Sequence, residues 1–271
     1  MKKYSFLTLC ALFLSTSLLT AQHREVRNVD TFTKISFALP GKLYLKQGSP
    51  QKVEIEASED ILKQVETEVS GGRLRIGRED KLFNWNLHDE KVTVYITVPE
   101  IEGVAVSGSG NIIGQSTIKT SNLDLKVSGS GSMTLEFDAT GDVDADVSGS
   151  GNLELKGNCK SLDSDVSGSG SLDVSGTVDN TANFGISGSG KIRASGSADF
   201  VKADISGSGK VLAADLQANR CQVRIAGSGD VEINVKNELD ANITGSGSVY
   251  YKGNPNKVNA NSAGSGKVRK M

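Results

Sequence analysis

Histidine and surplus basic charge are scarce in this chain, and each scarcity argues against a class of function. Its only histidines are His23 and His88, so a pairing of a histidine base with a nucleophile has no support. The chain carries 30 basic and 32 acidic residues. This balance argues against a nucleic-acid partner, which requires a basic surface.

The first residues have the pattern of an export signal. Lys2 and Lys3 precede an apolar run, and Leu19-Thr20-Ala21 offers a cleavage site. The alternative is a membrane anchor, but the run is short for one, and no second membrane segment follows it. We therefore expect residues 1–21 to be a signal peptide. The protein would then reach the periplasm, the outer-membrane surface or the extracellular space.

Glycine is abundant, and much of it follows a repeat. Gly-Ser-Gly occurs nine times, and successive copies start 18 to 21 residues apart. Spacing this regular indicates a repeat architecture, in which the triplets form turns. The glycines of the first six copies are Gly108, Gly110, Gly129, Gly131, Gly149, Gly151, Gly168, Gly170, Gly188, Gly190, Gly207 and Gly209.

Aligning the copies on the first glycine predicts two short strands per repeat. The residue two positions earlier is almost always Val or Ile, with an exception at Ser262. The residue three positions before the first glycine is mostly polar. This alternation is typical of a strand with one buried face. The segment after the glycines alternates in the same way. The Val/Ile column consists of Val106, Val127, Val147, Val166, Ile186, Ile205, Ile225 and Ile243.

These strands predict an all-β fold, a parallel β-solenoid with coils of about 19–20 residues, assigned to residues 104–271. One repeat cannot bury its apolar face alone, whereas stacked copies can. An antiparallel sandwich or barrel is the alternative, but like residues in register favour the solenoid. Residues 22–103 are predicted to form a less regular, β-rich capping region continuous with the solenoid. This region has one short helix over 59–68, with Ile61, Leu62 and Val65 on one face, and a hairpin at Gly71-Gly72.

Two cysteines, Cys159 and Cys221, remain beyond the signal segment. An exported pair suggests a disulfide. In the solenoid, however, they lie three coils apart, roughly 14 Å along the axis, beyond the reach of a disulfide. Cys221 also falls in an apolar column. We therefore expect both to be small buried residues.

The N-terminal region resembles a known family. Phe32-Thr33-Lys34-Ile35, Lys46-Gln47-Gly48 and Val53-Glu54-Ile55-Glu56 occur in that order. They are followed by the three segments Gly72-Arg73-Leu74-Arg75-Ile76, Val94-Tyr95-Ile96-Thr97-Val98-Pro99 and Val106-Ser107-Gly108-Ser109-Gly110-Asn111. This series is similar to the "putative auto-transporter adhesin, head GIN domain" family of bacterial envelope proteins. The resemblance implies a right-handed parallel β-helix and an adhesive role, without assigning binding residues.

Carboxylates recur on the outward faces, where two chemistries are conceivable, metal binding and catalysis. Stacked aspartates could bind calcium, but the glycine-aspartate nonapeptide of calcium-binding β-rolls is absent, so a solvated face is favoured. A polysaccharide-degrading enzyme would need converging acids and bases in a groove. Asp142, Asp144, Asp146, Asp163 and Asp165 instead follow the repeat. We predict a non-enzymatic protein without a metal or a cofactor.

The segment from Leu82 to His88 interrupts the strand pattern and holds the chain's one tryptophan. Phe83, Trp85 and His88 are therefore the candidate ligand-binding residues. The alternative is that this segment caps an open end of the solenoid.

The leading hypothesis is an adhesin-like scaffold of the cell envelope or surface that binds a glycan or a protein. The alternative is a structural envelope protein that self-assembles into a homo-oligomer through its faces or ends.

Overall fold

The computed structural model describes residues 23–78 and 92–271, which form 22 strands and one short helix. No helix in these two ranges is long and apolar enough to cross a membrane. The elements before the first Gly-Ser-Gly are β1 (His23–Arg27), β2 (Lys34–Phe37), β3 (Lys42–Gln47), β4 (Lys52–Ala57), α1 (Glu59–Leu62), β5 (Val65–Ser70), β6 (Arg73–Arg78), β7 (Thr93–Val98) and β8 (Gly103–Gly108).

The elements of the repeat region follow the triplets. They are β9 (Asn111–Gly114), β10 (Ile118–Thr120), β11 (Leu123–Gly129), β12 (Ser132–Ala139), β13 (Asp142–Gly149), β14 (Asn152–Cys159), β15 (Ser161–Gly168), β16 (Ser171–Gly188), β17 (Lys191–Gly207), β18 (Lys210–Gly227), β19 (Asp230–Gly245), β20 (Ser248–Lys252), β21 (Lys257–Gly264) and β22 (Lys267–Lys270).

The strands stack in two ladders, which confirms the β-solenoid and excludes the antiparallel sandwich. The first ladder has the order β6, β2, β8, β11, β13 and β15, continued by the second halves of β16–β19 and by β21. The second ladder has the order β7, β3, β9, β12 and β14, continued by the first halves of β16–β19 and by β20 and β22. From β8 onward, strands of the first ladder precede a triplet and strands of the second ladder follow one. All these pairings are parallel. Antiparallel pairing occurs at the N-terminal end, where β1 pairs with β4, β4 with β7 and β5 with β6.

The core lies between the ladders and is built from columns of like residues. Val127 pairs with Val106 on one side and with Val147 on the other, and all three are fully buried. β-Branched side chains pack well at such positions. The repeat therefore fixes both the register and the residues of the core, because a slip of one residue would turn each apolar column outward.

The two glycines of each triplet are required for different reasons. Gly149 has a φ of 106°, and a Cβ there would lie 2.7 Å from the carbonyl oxygen of Gly129 in the preceding coil. A Cβ on Gly151 would lie 2.5 Å from Val127 Cγ1. The first glycine thus permits the backbone conformation, and the second lets the corner pack on the Val/Ile column.

Backbone hydrogen bonds continue through the corners. The Ser150 N–H donates to the Gly129 carbonyl at 2.9 Å, and the Asn152 N–H donates to the Gly131 carbonyl at 3.0 Å. Side chains at the two glycine positions would prevent consecutive coils from lying this close. The triplet therefore sets the stacking of the whole solenoid.

The helix is shorter than the sequence pattern predicts. It ends at Leu62, and Val65, expected on its apolar face, instead begins β5. β5 alternates β-branched residues inward and pairs with β6, so that Val69 faces Leu74. The hairpin turn at Gly71-Gly72 has φ values of 57° and 71°, as predicted. Strand pairing therefore outweighs the local helical spacing.

Both cysteines are buried and free. Cys221 lies in an apolar column between Val201 and Leu239, as the repeat alignment predicts. Cys159 is paired with Val178 of the next coil. Burial raises the pKa of both thiols to about 12, so neither forms the reactive thiolate at neutral pH.

Substitution of corner glycines tests the stacking constraint. Gly149→Ala and Gly108→Ala both place an L-residue at positive φ, but a Cβ on Gly108 meets no atom within 4 Å. The free energy of unfolding of both variants should fall by roughly 1–2 kcal/mol because of backbone strain. The free energy of unfolding of Gly149→Ala should fall by a further ~1–3 kcal/mol because its Cβ clashes with Gly129. Thermal denaturation followed by circular dichroism measures the difference; equal losses would contradict the account.

Thiol labelling tests the burial of the cysteines. In residues 22–271, Cys159 and Cys221 should fail to react with a thiol reagent at pH 8 while the protein is folded. Both should react at once in guanidinium, because unfolding returns their pKa to the ordinary range. Labelling of either thiol in the native protein within minutes would show that its coil opens.

Candidate binding site

The residues predicted to bind a ligand, Phe83, Trp85 and His88, lie in 79–91, outside the described residues. Both interpretations of this segment, as a ligand contact and as a cap, therefore stay predictions. The described residues do contain a groove that the sequence pattern did not indicate.

This groove lies where the chain turns into the first ladder, and it has a volume of about 710 Å³. Its residues come from the start of β2, the turn after β7, the β10–β11 turn and the neighbouring parts of β12 and β13. Two open grooves of about 400 and 500 Å³ lie further along the solenoid. We call the first one the corner groove; it is lined by Lys34, Glu100, Ile101, Glu102, Lys119, Thr120, Ser121, Asn122, Leu123, Asp124, Thr140 and Asp144.

Gln47 ties together the two turns that form the groove. Its Nε2 donates to the carbonyl oxygens of Pro99 and Lys119 at 3.0 and 2.9 Å. Its Oε1 accepts from the Lys119 N–H at 2.8 Å. One amide side chain at the end of β3 thus uses three hydrogen bonds to hold both turns, although they lie about 50 and 70 residues away in sequence.

Further hydrogen bonds orient the polar lining. Thr33 Oγ1 donates to Glu102 Oε2 at 2.8 Å. Asn122 Oδ1 accepts from the Asp142 N–H at 2.9 Å, and the Asn122 carbonyl accepts from Thr120 Oγ1 at 3.0 Å. The contacts of Thr33 with Glu102 and of Asp142 with Asn122 cross between coils, so the lining is fixed by the solenoid as well as by the turns.

The wall of the groove follows one outward column of the first ladder. In register, Lys34 lies beside Gly103, Gly103 beside Asp124, and Asp124 beside Asp144. Gly103 has no side chain between Lys34 and Asp124, and Lys34 Cγ packs 3.4 Å from where a Cβ would stand. Within the described residues, Lys34, Asp124 and Asp144 form no ion pair. The wall therefore combines unpaired charge of both signs.

The aspartates of this column carry an unfavourable charge arrangement. Asp124, Asp144 and Asp163 stack directly on one another. Burial raises the pKa of Asp144, and the neighbouring carboxylates, Asp163 foremost, raise it further. Elsewhere stacked charges pair, as Arg193 does with Asp173 at 3.0 Å. Like charges on adjacent strands are destabilising, so this column costs stability at neutral pH.

The aspartates do not converge as a metal site would. Across residues 23–78 and 92–271, no group of three or more acidic, histidine or cysteine side chains has an arrangement that could hold a metal ion. The carboxylates instead follow the flat face of the ladder, one per coil. Their arrangement suits hydrogen bonding to a ligand that extends along the face.

The sequence alignment missed the groove because part of its lining, namely Lys34, Glu100, Ile101 and Glu102, comes from before the repeat region. Lys34 and the Gln47 that holds the turns have no repeat counterparts that could place them. One signal was present in the repeat. Gly103 occupies the outward position that Asp124, Asp144 and Asp163 fill in the following coils.

The family comparison agrees with this architecture. The family described as "Putative auto-transporter adhesin, head GIN domain" matches residues 31–192 and 177–255. The chain belongs to this family. No curated protein matches this head GIN family member at a significant level.

Solved structures share the fold over nearly the whole length. A "putative adhesin" from Parabacteroides merdae is 23% identical with a TM-score of 0.71, and the match covers 92% of this chain and 96% of that one. A "putative adhesin" from Parabacteroides distasonis is 22% identical with a TM-score of 0.69, covering 93% and 97%. A "Putative lipid binding protein" from Parabacteroides distasonis is 23% identical with a TM-score of 0.63, covering 92% and 96%. At these identities the similarity shows the fold alone.

The aspartate column predicts a stabilising substitution. A carboxyl with a raised pKa in the folded state disfavours folding above that pKa, and the cost disappears as the pH falls through it. Asp144→Asn should therefore raise the Tm by roughly 1–3 °C at pH 7. The gain should vanish as the pH approaches that of a protonated aspartate, about 4.

Differential scanning fluorimetry between pH 4 and pH 8 measures this effect. The matched control is Asp173→Asn, which removes a carboxylate paired with Arg193 and should not raise the Tm. A Tm gain for both variants, or one for Asp144→Asn that persists at pH 4, would show that the charge of the column is not the cause.

Proposed function

We propose that this protein is a non-enzymatic binding scaffold of the cell envelope or surface, which holds a glycan or a protein ligand on a rigid β-solenoid. The observation that carries the proposal is the corner groove, a polar recess whose turns are held by Gln47. Membership of the head GIN family supports an adhesive role. An export signal in residues 1–21 would place the protein in the periplasm, on the outer-membrane surface or outside the cell.

The distribution of carboxylates supports binding over catalysis. Hydrolysis of a polysaccharide needs an acid and a base that face each other across the scissile bond. Asp124, Asp144 and Asp163 are instead side by side on one face. The described residues that line the corner groove include no histidine, and the groove is open to water.

The two ends of the described solenoid support a discrete rod over a self-assembling filament. At the N-terminal end, β1 carries Glu25 and Arg27 beside the buried Ile55 and Val53 of β4. At the C-terminal end, Ser262 lies beside Ile243 in one column, and Lys270 lies beside Tyr251 in another. Polar residues at inward positions of edge strands hinder edge-to-edge pairing.

The interior argues against a lipid held inside the solenoid. The core cavity beside Phe137, Cys159 and Phe184 has a volume of about 10 Å³, roughly the space of a single water molecule. A lipid ligand such as the name of one structural relative suggests would therefore have to bind on the outer surface.

An array of glycans and matrix proteins, probed with residues 22–271, tests the proposal. We expect the protein to bind at least one glycan or protein on the array. Phe83→Ala/Trp85→Ala tests the predicted aromatic contact, and a double variant of the corner groove, Lys34→Met/Asp124→Ala, tests the groove. The absence of any ligand would contradict the proposal.

Electron microscopy of the same preparation tests the alternative. Monodisperse short rods are expected for a binding scaffold. Long filaments, together with an empty array, would favour the structural role.

A further inference from the structure

We propose that the corner groove seats a saccharide unit, whose hydroxyl groups bind Asp124, Asp144 and Lys34 together. This inference rests on the proposed binding function and specifies its site and ligand class. Neither the family description nor the names of the structural relatives assign a ligand to these residues.

The donor and acceptor pattern of the wall selects the ligand class. Asp124 and Asp144 accept hydrogen bonds in their ionised form, whereas the ammonium of Lys34 only donates. A ligand that satisfies both needs donors and acceptors within a short distance. Adjacent hydroxyl groups of a sugar ring supply both, and hydrogen bonds to charged groups are the stronger kind.

The charges of the groove disfavour the simpler ionic ligands. A cationic peptide or a divalent cation would meet Lys34 and Lys119 as well as the carboxylates. A polyanion would meet Glu100, Asp124 and Asp144. A polar and largely uncharged ligand avoids both repulsions, so the mixture of signs favours a neutral saccharide.

The dimensions and rigidity of the groove suit such a ligand. Its volume of about 710 Å³ falls within the roughly 300–1,000 Å³ of small-molecule sites. Lys34 and Asp124 start two coils apart, roughly 10 Å, a span that a sugar ring with its hydroxyls can bridge. The bonds of Gln47 and Thr33 hold the turns in place before binding, which reduces the entropy lost on association.

Among the described residues no aromatic ring lines the groove, so the binding that these residues provide rests on hydrogen bonds without stacking. Such a site is expected to have a modest affinity for one saccharide unit. A rod displayed in many copies on a surface would raise the effective affinity through multivalent contact.

Isothermal titration calorimetry with di- to tetrasaccharides of mannose, galactose, glucose and N-acetylglucosamine tests the inference. Wild-type protein should bind at least one member of this panel. Lys34→Met and Asp124→Ala should each weaken that binding by roughly tenfold or more, the loss of one hydrogen bond to a charged group.

The control is Asp173→Ala/Arg193→Met, an ion pair on the other ladder, which should leave the affinity within about twofold of wild type. Circular dichroism confirms that each variant is folded. Lys34→Gln, which keeps a donor without the charge, should weaken binding less than Lys34→Met.

Three outcomes would overturn the inference. The first is saccharide binding that the groove variants leave intact, and the second is groove-dependent binding of a lysine-rich peptide or of calcium chloride in place of the saccharides. The third is the absence of binding across the panel. An array ligand that is insensitive to the groove variants would leave the binding function standing without this site, whereas an empty array would remove both.

Discussion

The structure depends on the close approach of backbone to backbone at the glycine corners. Each triplet donates and accepts hydrogen bonds with the triplet of the neighbouring coil, at a distance where a side chain does not fit. This contact repeats about every twenty residues and fixes the register of both ladders. The apolar columns, the buried cysteines and the outward polar columns all follow from that register.

The same register determines how surface charges interact. Residues one coil apart lie roughly 5 Å from each other, so a charge is either balanced by its neighbour or opposed by it. Asp173 and Arg193 show the balanced case, and Asp144 shows the opposed one. Unfavourable local arrangements are often found at functional sites, where the ligand supplies the missing partner. The opposed column forms a wall of the corner groove.

Sequence analysis predicted the features that repeat. The Val/Ile column, the burial of Cys221 and the corner positions all follow from aligning one coil with the next. The length of α1 was predicted wrongly because the decisive contact, β5 with β6, lies outside the repeat. The groove could not be predicted either, because Gln47 is placed by pairing with strands about 50 to 70 residues away. No alignment of coils contains that information.

The position of the corner groove along the rod determines how much of the solenoid extends beyond it. The groove is built from β2, β8, β10, β11 and their neighbours, and six more triplets follow it. At roughly 4.8 Å per coil, they extend the rod by about 29 Å. Because each coil contacts only its neighbours, whole coils could be gained or lost in evolution without disturbing the groove. The distance between the corner groove and the far end of the rod is therefore adjustable independently of the residues that line the groove.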